Sequence, residues 1–192
     1  MEKEQVAYRL SQIFHPAIIE IPGAILALYM FGLPLKEIFY FAVLPISILT
    51  AVIYGVLAMP KYRELNMNTK ADRDMFYILS ILLLTITAVA THHFNGPEII
   101  AGLYPGIIAV GIINYLINSK VKISLHLTGM GVLTAVFTGL SPGYGILFLI
   151  FSGLVAWSRI KLGRHTPLET FLGFTVSFTV ILASLLFTMG SA

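Results

Sequence analysis

The sequence predicts an all-α fold, a polytopic bundle of transmembrane helices with six core spans and an additional N-terminal span. Three observations carry this. Charged residues make up 11% of the chain, hydrophobic residues 57%, and mean hydropathy is +0.89, whereas a soluble domain carries about 25% charged residues. Apolar stretches approaching the roughly 20 residues needed to cross a bilayer recur along the chain, separated by polar or Pro/Gly-rich breaks. The basic residues fall almost wholly on one side of that alternation. With 192 residues used in this way, no room remains for a soluble domain, and residues 1–192 are expected to form a single integral membrane domain. The absence of cysteine removes disulfides and thiolate zinc sites, and a net charge of +3 is too small to suggest a nucleic-acid partner.

The N-terminal stretch MEKEQVAYRLSQIF mixes both charge signs and lacks the cleavage pattern of a signal peptide. Residues 1–14 are expected to be retained as a short interfacial helix with Tyr8, Leu10, Ile13 and Phe14 on its apolar side. Residues 16–31 form the weakest span, because they hold Glu20 and the pair Pro22-Gly23, and a tilted, broken or re-entrant segment is expected there. A full span follows over 38–59, stopped by Pro60, and the polar run 61–74 must be a surface loop. Residues 75–91 span next, closed by a turn at 92–96. The span at 97–117 has Pro105-Gly106 as a kink site, and that at 123–140 holds Gly129 and Gly131, which permit close helix approach. After the turn Ser141-Pro142-Gly143, residues 145–157 cross back and 168–189 form the last span.

With seven crossings, Lys3, Arg9, Lys61, Arg63, Lys70, Arg73, Lys120, Lys122, Arg159, Lys161 and Arg164 share one side, and Lys36 alone lies on the other. This bias puts the N-terminus and three polar loops in the cytoplasm. It also puts the loop 61–74, the stretch 118–126 and the stretch 158–169 on one face.

The stretch Trp157 to Glu169 (WSRIKLGRHTPLE) carries the chemistry. Arg159, Arg164 and Lys161 are matched to an anion, and His165 can act as nucleophile, acid or base near neutral pH. Glu169 follows His165 by four residues, so on a helical turn its carboxylate can hold the imidazole in one tautomer. The same residues have a structural reading: Thr166-Pro167-Leu168-Glu169 is a capping box, and basic residues between spans obey the positive-inside rule. That reading leaves Ser158 and His165 unexplained. Ser158, Arg159, His165 and Glu169 resemble, at matching spacing, the SRxxxxxHxxxD signature of the type 2 phosphatidic acid phosphatase and haloperoxidase superfamily, with Glu in place of Asp. Gly163 and Gly173 are similar to the membrane branch of that family.

Upstream, Lys122-Ile123-Ser124-Leu125-His126 resembles the family's PSGH motif with Ser124 and His126 kept and the Pro and Gly replaced by Ile123 and Leu125. Ser124 also reads as a plain helix N-cap. The family's first motif, KxxxxxxRP, is not present in that form. Two substitutes are open: Asp72-Arg73 with Lys70, and Lys120 with Lys122. Asp72 and Asp74 read more simply as first-turn carboxylates. His92, His93 and Glu98 read as residues of the opposite side, and His15 and Glu20 as the lining of a polar cavity.

The resemblance implies a lipid phosphate phosphatase that needs no metal or other cofactor, acting on a phosphomonoester or diphosphate such as phosphatidate or a phosphatidylglycerophosphate-like lipid. His165 would be the nucleophile, Glu169 its orienting partner and His126 the acid and base. Arg159, Ser158, Ser124, Lys122, Lys120 and Arg73 would bind phosphate. The partners expected are the lipid phosphate and the surrounding membrane lipids, with the site on the cytoplasmic face of the cell membrane. Still open are a polyprenyl diphosphate substrate, a phosphotransferase, a metal-dependent hydrolase using His126, His165 and Glu169, and a non-catalytic lipid-phosphate binder or transporter. Oligomeric state is not legible.

Overall fold

Proline breaks and polar runs decide where the helices of this membrane bundle begin and end. The computed structural model describes residues 2–57 and 70–191. Among these, the chain forms α1 (Glu2–Ile13), α2 (Pro16–Met30), α3 (Leu35–Ile38), a π-helical turn (Phe39–Val43), α4 (Leu44–Leu57), α5 (Lys70–His93), α6 (Glu98–Asn118), α7 (Leu125–Leu140), α8 (Pro142–Lys161) and α9 (Pro167–Ser191), with no β-strand. Among the described residues, five segments are long and apolar enough to cross a bilayer: Leu35–Ile53, Arg73–His93, Glu98–Asn118, Pro142–Lys161 and Pro167–Gly190. The shorter apolar helix α7 and the bent pair α1 and α2 complete the set. The chain is therefore an all-α integral membrane bundle.

Several boundaries differ from the sequence reading, each for a local reason. The N-terminal span is broken, but α2 runs through Pro22, and the 53° bend lies at the junction of α1 and α2. The polar loop assigned to 61–74 is shorter at its end, because α5 already begins at Lys70; residues 58–69 lie outside the described residues. Helix α5 also continues to His93, so the following turn starts at Phe94. Helix α6 continues through Pro105. The π-turn before Pro45 has a simple cause. Pro45 has no N–H for the carbonyl of Phe41, four residues back, and the Tyr104 hydroxyl donates to that carbonyl at 2.6 Å instead.

Helix α7 is the shortest of the core spans and sits at their centre, packed against α9, α8 and α2. Its Leu133, Ala135, Val136 and Phe137 join Ile181 and Leu185 of α9, Ile100 and Leu103 of α6 and Ala27 and Leu28 of α2 in one buried cluster. In lipid there is little hydrophobic drive between helices, so association depends on close van der Waals fit and interhelical hydrogen bonds. Gly131 supplies such a fit, meeting the Ser177 side chain and the Phe174 carbonyl of α9. Ile78, Leu82, Ile86 and Val89, a stripe at helical spacing on α5, remain exposed on the lipid-facing side.

Contacts fix the relative directions. His15 meets His126 and Gly23 meets Leu133, so α2 and α7 run the same way. Arg73 meets Asn118 and Gly111 meets Ile81, so α5 and α6 run oppositely. One end of the bundle thus gathers the starts of α2, α5, α7 and α9 with the ends of α6 and α8. Helix α1 lies along α8, with Phe14 against Phe151 at 5.5 Å between ring centroids. The residues of α1 that become buried are Ala7 and Ser11, while Tyr8 and Ile13 stay exposed.

Candidate active site

The α8 to α9 connection is built by two capping devices that share the residues of the C-terminal motif. Helix α8 ends in a Schellman turn: Gly163 takes φ of +63°, its N–H donates to Ile160 O, and the Arg164 N–H donates to Arg159 O, each at 3.0 Å. A residue with a Cβ is strained at that φ, which is why glycine stands two positions before His165. Helix α9 then opens with a complete capping box. The Thr166 N–H donates to Glu169 Oε2 at 3.0 Å, and the Glu169 N–H donates to Thr166 Oγ1 at 3.3 Å.

The same Glu169 Oε2 lies 3.0 Å from His165 Nδ1. A carboxylate only accepts, so Nδ1 carries the proton and Nε2 of the neutral ring keeps the lone pair. The structural and chemical readings of Glu169 are therefore both satisfied by one oxygen: the helix cap fixes the carboxylate, and the carboxylate fixes the imidazole. Burial pushes the His165 pKa below its ordinary 6.5, opposed by the hydrogen bond and charge of Glu169 and reinforced by the positive charge of Arg159. His165 is neutral at pH 7.

The start of α7 docks directly on this turn. The Ser124 N–H donates to the Glu169 carbonyl at 3.3 Å. Gly173, one turn along α9 from Glu169, allows the approach: a Cβ there would stand 2.8 Å from the Ser124 carbonyl and 3.2 Å from Ile123 Cγ2. Ser124 occupies the N-cap position of α7 yet makes no side-chain capping bond. Its hydroxyl is fully buried and makes no hydrogen bond among the described residues, as is also true of Ser158 Oγ and Arg159 Nε. Buried polar atoms normally find a partner. Three atoms of two sequence-distant motifs are thus left without a hydrogen-bond partner among the described residues at one end of the bundle.

His126, in the first turn of α7, places Nε2 3.3 Å from the carbonyl of Ser11, and Arg159 Nη1 donates to the Ser11 hydroxyl at 2.6 Å. Its ring stands edge-on to His15 at 5.1 Å between centroids. Arg159, His15 and His165 all lie within electrostatic reach of it.

Beside Glu169 opens a cleft of about 440 Å³ lined by Arg73, Asn118, Lys120, Lys122, Thr166 and Leu168, among others. Both substitutes for the missing first motif therefore line one space; the side chains of Lys70 and Asp72 lie outside the described residues. Arg73 Nε donates to Asn118 Oδ1 at 2.9 Å, and Asn118 Nδ2 donates to Asp74 Oδ1 at 3.5 Å, so Asp74 holds the amide that holds the guanidinium. Burial lowers the Lys122 pKa, reinforced by Arg73 and partly offset by Glu169.

His165, Glu169, His126, Ser124, Ser158, Arg159, Lys122, Lys120 and Arg73 all occupy this end of the bundle. His92, His93 and Glu98 lie at the other, exposed. Glu20 faces α7, with Oε1 2.9 Å from the position a Cβ on Gly129 would take. Among the described residues, no three His, Cys, Asp or Glu side chains are grouped as metal ligands would be. Two residues in the network, Ser11 and Asn118, carried no signal in their local sequence, beyond Ser11 lying four residues after Ala7 on one small-residue face of α1. No protein-family model matches the chain, and no curated protein or solved structure is significantly similar to it.

Proposed function

We propose that the protein is a membrane lipid phosphate phosphatase that hydrolyses its substrate through a phosphohistidine at His165. The observation that carries this is the His165 to Glu169 hydrogen bond of 3.0 Å, which leaves Nε2 as the nucleophilic nitrogen of a neutral, buried ring. Nε2 attacks phosphorus as the ester P–O bond breaks, and His126, entering the step as the imidazolium, gives a proton to the departing alkoxide. His126, now neutral, takes a proton from water, whose oxygen attacks phosphorus and breaks the P–N bond, releasing phosphate and restoring His165. Arg159, Ser124, Ser158 and the amides of the first turn of α7 stabilise the charge that grows on the phosphoryl oxygens. The lipid tail stays among the helices while the headgroup reaches this end of the bundle, and the excess of basic residues at that end favours the cytoplasmic side.

The cleft supports a second substrate within the same chemistry. Arg73, Lys120 and Lys122 line it beside Glu169 and add to the positive charge of Arg159 at this end of the bundle, more than one phosphate dianion requires, which favours a lipid diphosphate such as a polyprenyl diphosphate. Phosphate release from a panel of phosphatidate, phosphatidylglycerophosphate and polyprenyl diphosphate, by purified wild type and His165→Ala, tests the proposal. Wild type is expected to release phosphate and the variant to bind substrate without turnover. Turnover that survives His165→Ala overturns the mechanism, and binding with no turnover by either protein marks a lipid-phosphate binder or transporter.

A further inference from the structure

We infer that Ser11, on the N-terminal helix and outside every motif, is a positioning residue of this site, its hydroxyl holding Arg159 and its carbonyl holding His126. The inference rests on the phosphatase reading and extends it to a part of the chain that the reading did not involve. Ser11 is 1% exposed and touches both groups, at 2.6 Å from Arg159 Nη1 and 3.3 Å from His126 Nε2.

The chemistry of each contact is set by what Ser11 can offer. Its carbonyl is one of the last four of α1, which have no N–H partner within the helix. The Phe14 N–H goes to Leu10 O and the His15 N–H to Gln12 O, so the carbonyl between them is open to His126. A carbonyl can only accept, so His126 carries its proton on Nε2 and keeps the lone pair of the neutral ring on Nδ1. Nδ1 is then the nitrogen that takes up a second proton to form the imidazolium, gives that proton to the leaving alkoxide and regains it from water. The hydroxyl ties Arg159 at Nη1 and leaves the Nε edge, which makes no hydrogen bond among the described residues, for phosphate oxygens. A guanidinium held at one corner presents its remaining N–H groups in a fixed fork. The position of Ser11 is itself fixed, since Ala7, one turn earlier, is fully buried and Phe14 packs on Phe151 of α8.

The experiment compares Ser11→Ala, Ser11→Cys and Ser11→Thr with wild type, His165→Ala and the exposed neighbour variant Gln12→Ala, measuring lipid phosphate turnover, inhibition by inorganic phosphate, and melting in detergent. Alanine and cysteine remove the acceptor with little change of size, and are expected to lower kcat/KM about tenfold, the size of effect expected when a hydrogen bond to a charged group is lost. Inhibition by inorganic phosphate, which needs Arg159 but no chemistry, weakens by a similar factor. Threonine restores both, and Gln12→Ala changes neither. A purely structural Ser11 would lower the melting temperature and leave phosphate inhibition of the folded fraction unchanged, which overturns the inference. Turnover by Ser11→Ala equal to or faster than wild type beside an inert His165→Ala overturns it alone, the faster case identifying α1 as a cover over the site. Wild type that releases phosphate from no lipid phosphate overturns the phosphatase reading and this inference together.

Discussion

Glu169 has two duties, and substitution separates them. Its Oε2 caps α9 through the Thr166 N–H and braces His165 through Nδ1, both at 3.0 Å. Glu169→Gln keeps an oxygen in that place, so the cap persists, but it removes the charge. The imidazole and carboxylate side chains are only 8% and 18% exposed, so screening by water is limited. A hydrogen bond to a charged group contributes about 1.5–3 kcal/mol against about 0.5–1.5 kcal/mol for a neutral one. The difference, about 1–2 kcal/mol, corresponds to about a 5–30-fold loss of kcat/KM if the brace acts in the transition state. Glu169→Ala removes the cap as well and is expected to cost about 0.5–2 kcal/mol of stability in addition. Phosphate release and thermal unfolding in detergent read the two losses independently. Wild-type turnover by Glu169→Gln would refute the bracing role, and unchanged melting of Glu169→Ala would refute the capping role.

Three further outcomes are expected. Since His165 is pushed below 6.5 and must be neutral to attack, kcat/KM is present at neutral pH and falls as pH drops through a midpoint under that value. Glu169→Gln moves that limb to still lower pH, because the carboxylate charge that raises the pKa is gone while burial remains; a pH–rate profile with the limb unmoved or shifted upward argues against it. Gly173→Ala sets a Cβ 2.8 Å from the Ser124 carbonyl, forces α9 away from the start of α7, and is expected to cost about 1–3 kcal/mol together with most of the turnover; unchanged melting and activity would show that this close approach is dispensable. Excess chelator is expected to leave turnover intact, and loss restored by a divalent cation would replace the phosphohistidine route with a metal-assisted one.

The spans were legible because lipid imposes a length and a composition that few other environments demand, and alternation of charge ordered the loops. The His165 to Glu169 contact was legible as well, since a spacing of four on a helix is local geometry, and the capping box fixed its carboxylate. The two readings of that stretch competed in the sequence but share one oxygen in the structure. What the sequence did not yield lies between distant segments. Ser11 is 148 residues from Arg159, and its only local trace is a small-residue face on α1, opposite to the Tyr8 and Ile13 side that hydrophobicity selects. The start of α5 at Lys70 was hidden because polar residues in a first helical turn look like loop. The π-turn at Phe39–Val43 was hidden because its apolar residues match those around it, and its cause joins Pro45, which offers no N–H to the Phe41 carbonyl, to the distant Tyr104 hydroxyl that takes its place.

The most direct measurement is to quench wild type with a radiolabelled lipid phosphate within one turnover, under alkaline conditions that preserve phosphohistidine, and to locate the label by peptide mass spectrometry. Label on the peptide containing His165, absent in His165→Ala, is expected. Label on another residue, or turnover with no protein-bound phosphate in wild type and continued release by His165→Ala, would contradict a histidine held by Glu169 as the group that takes the phosphoryl.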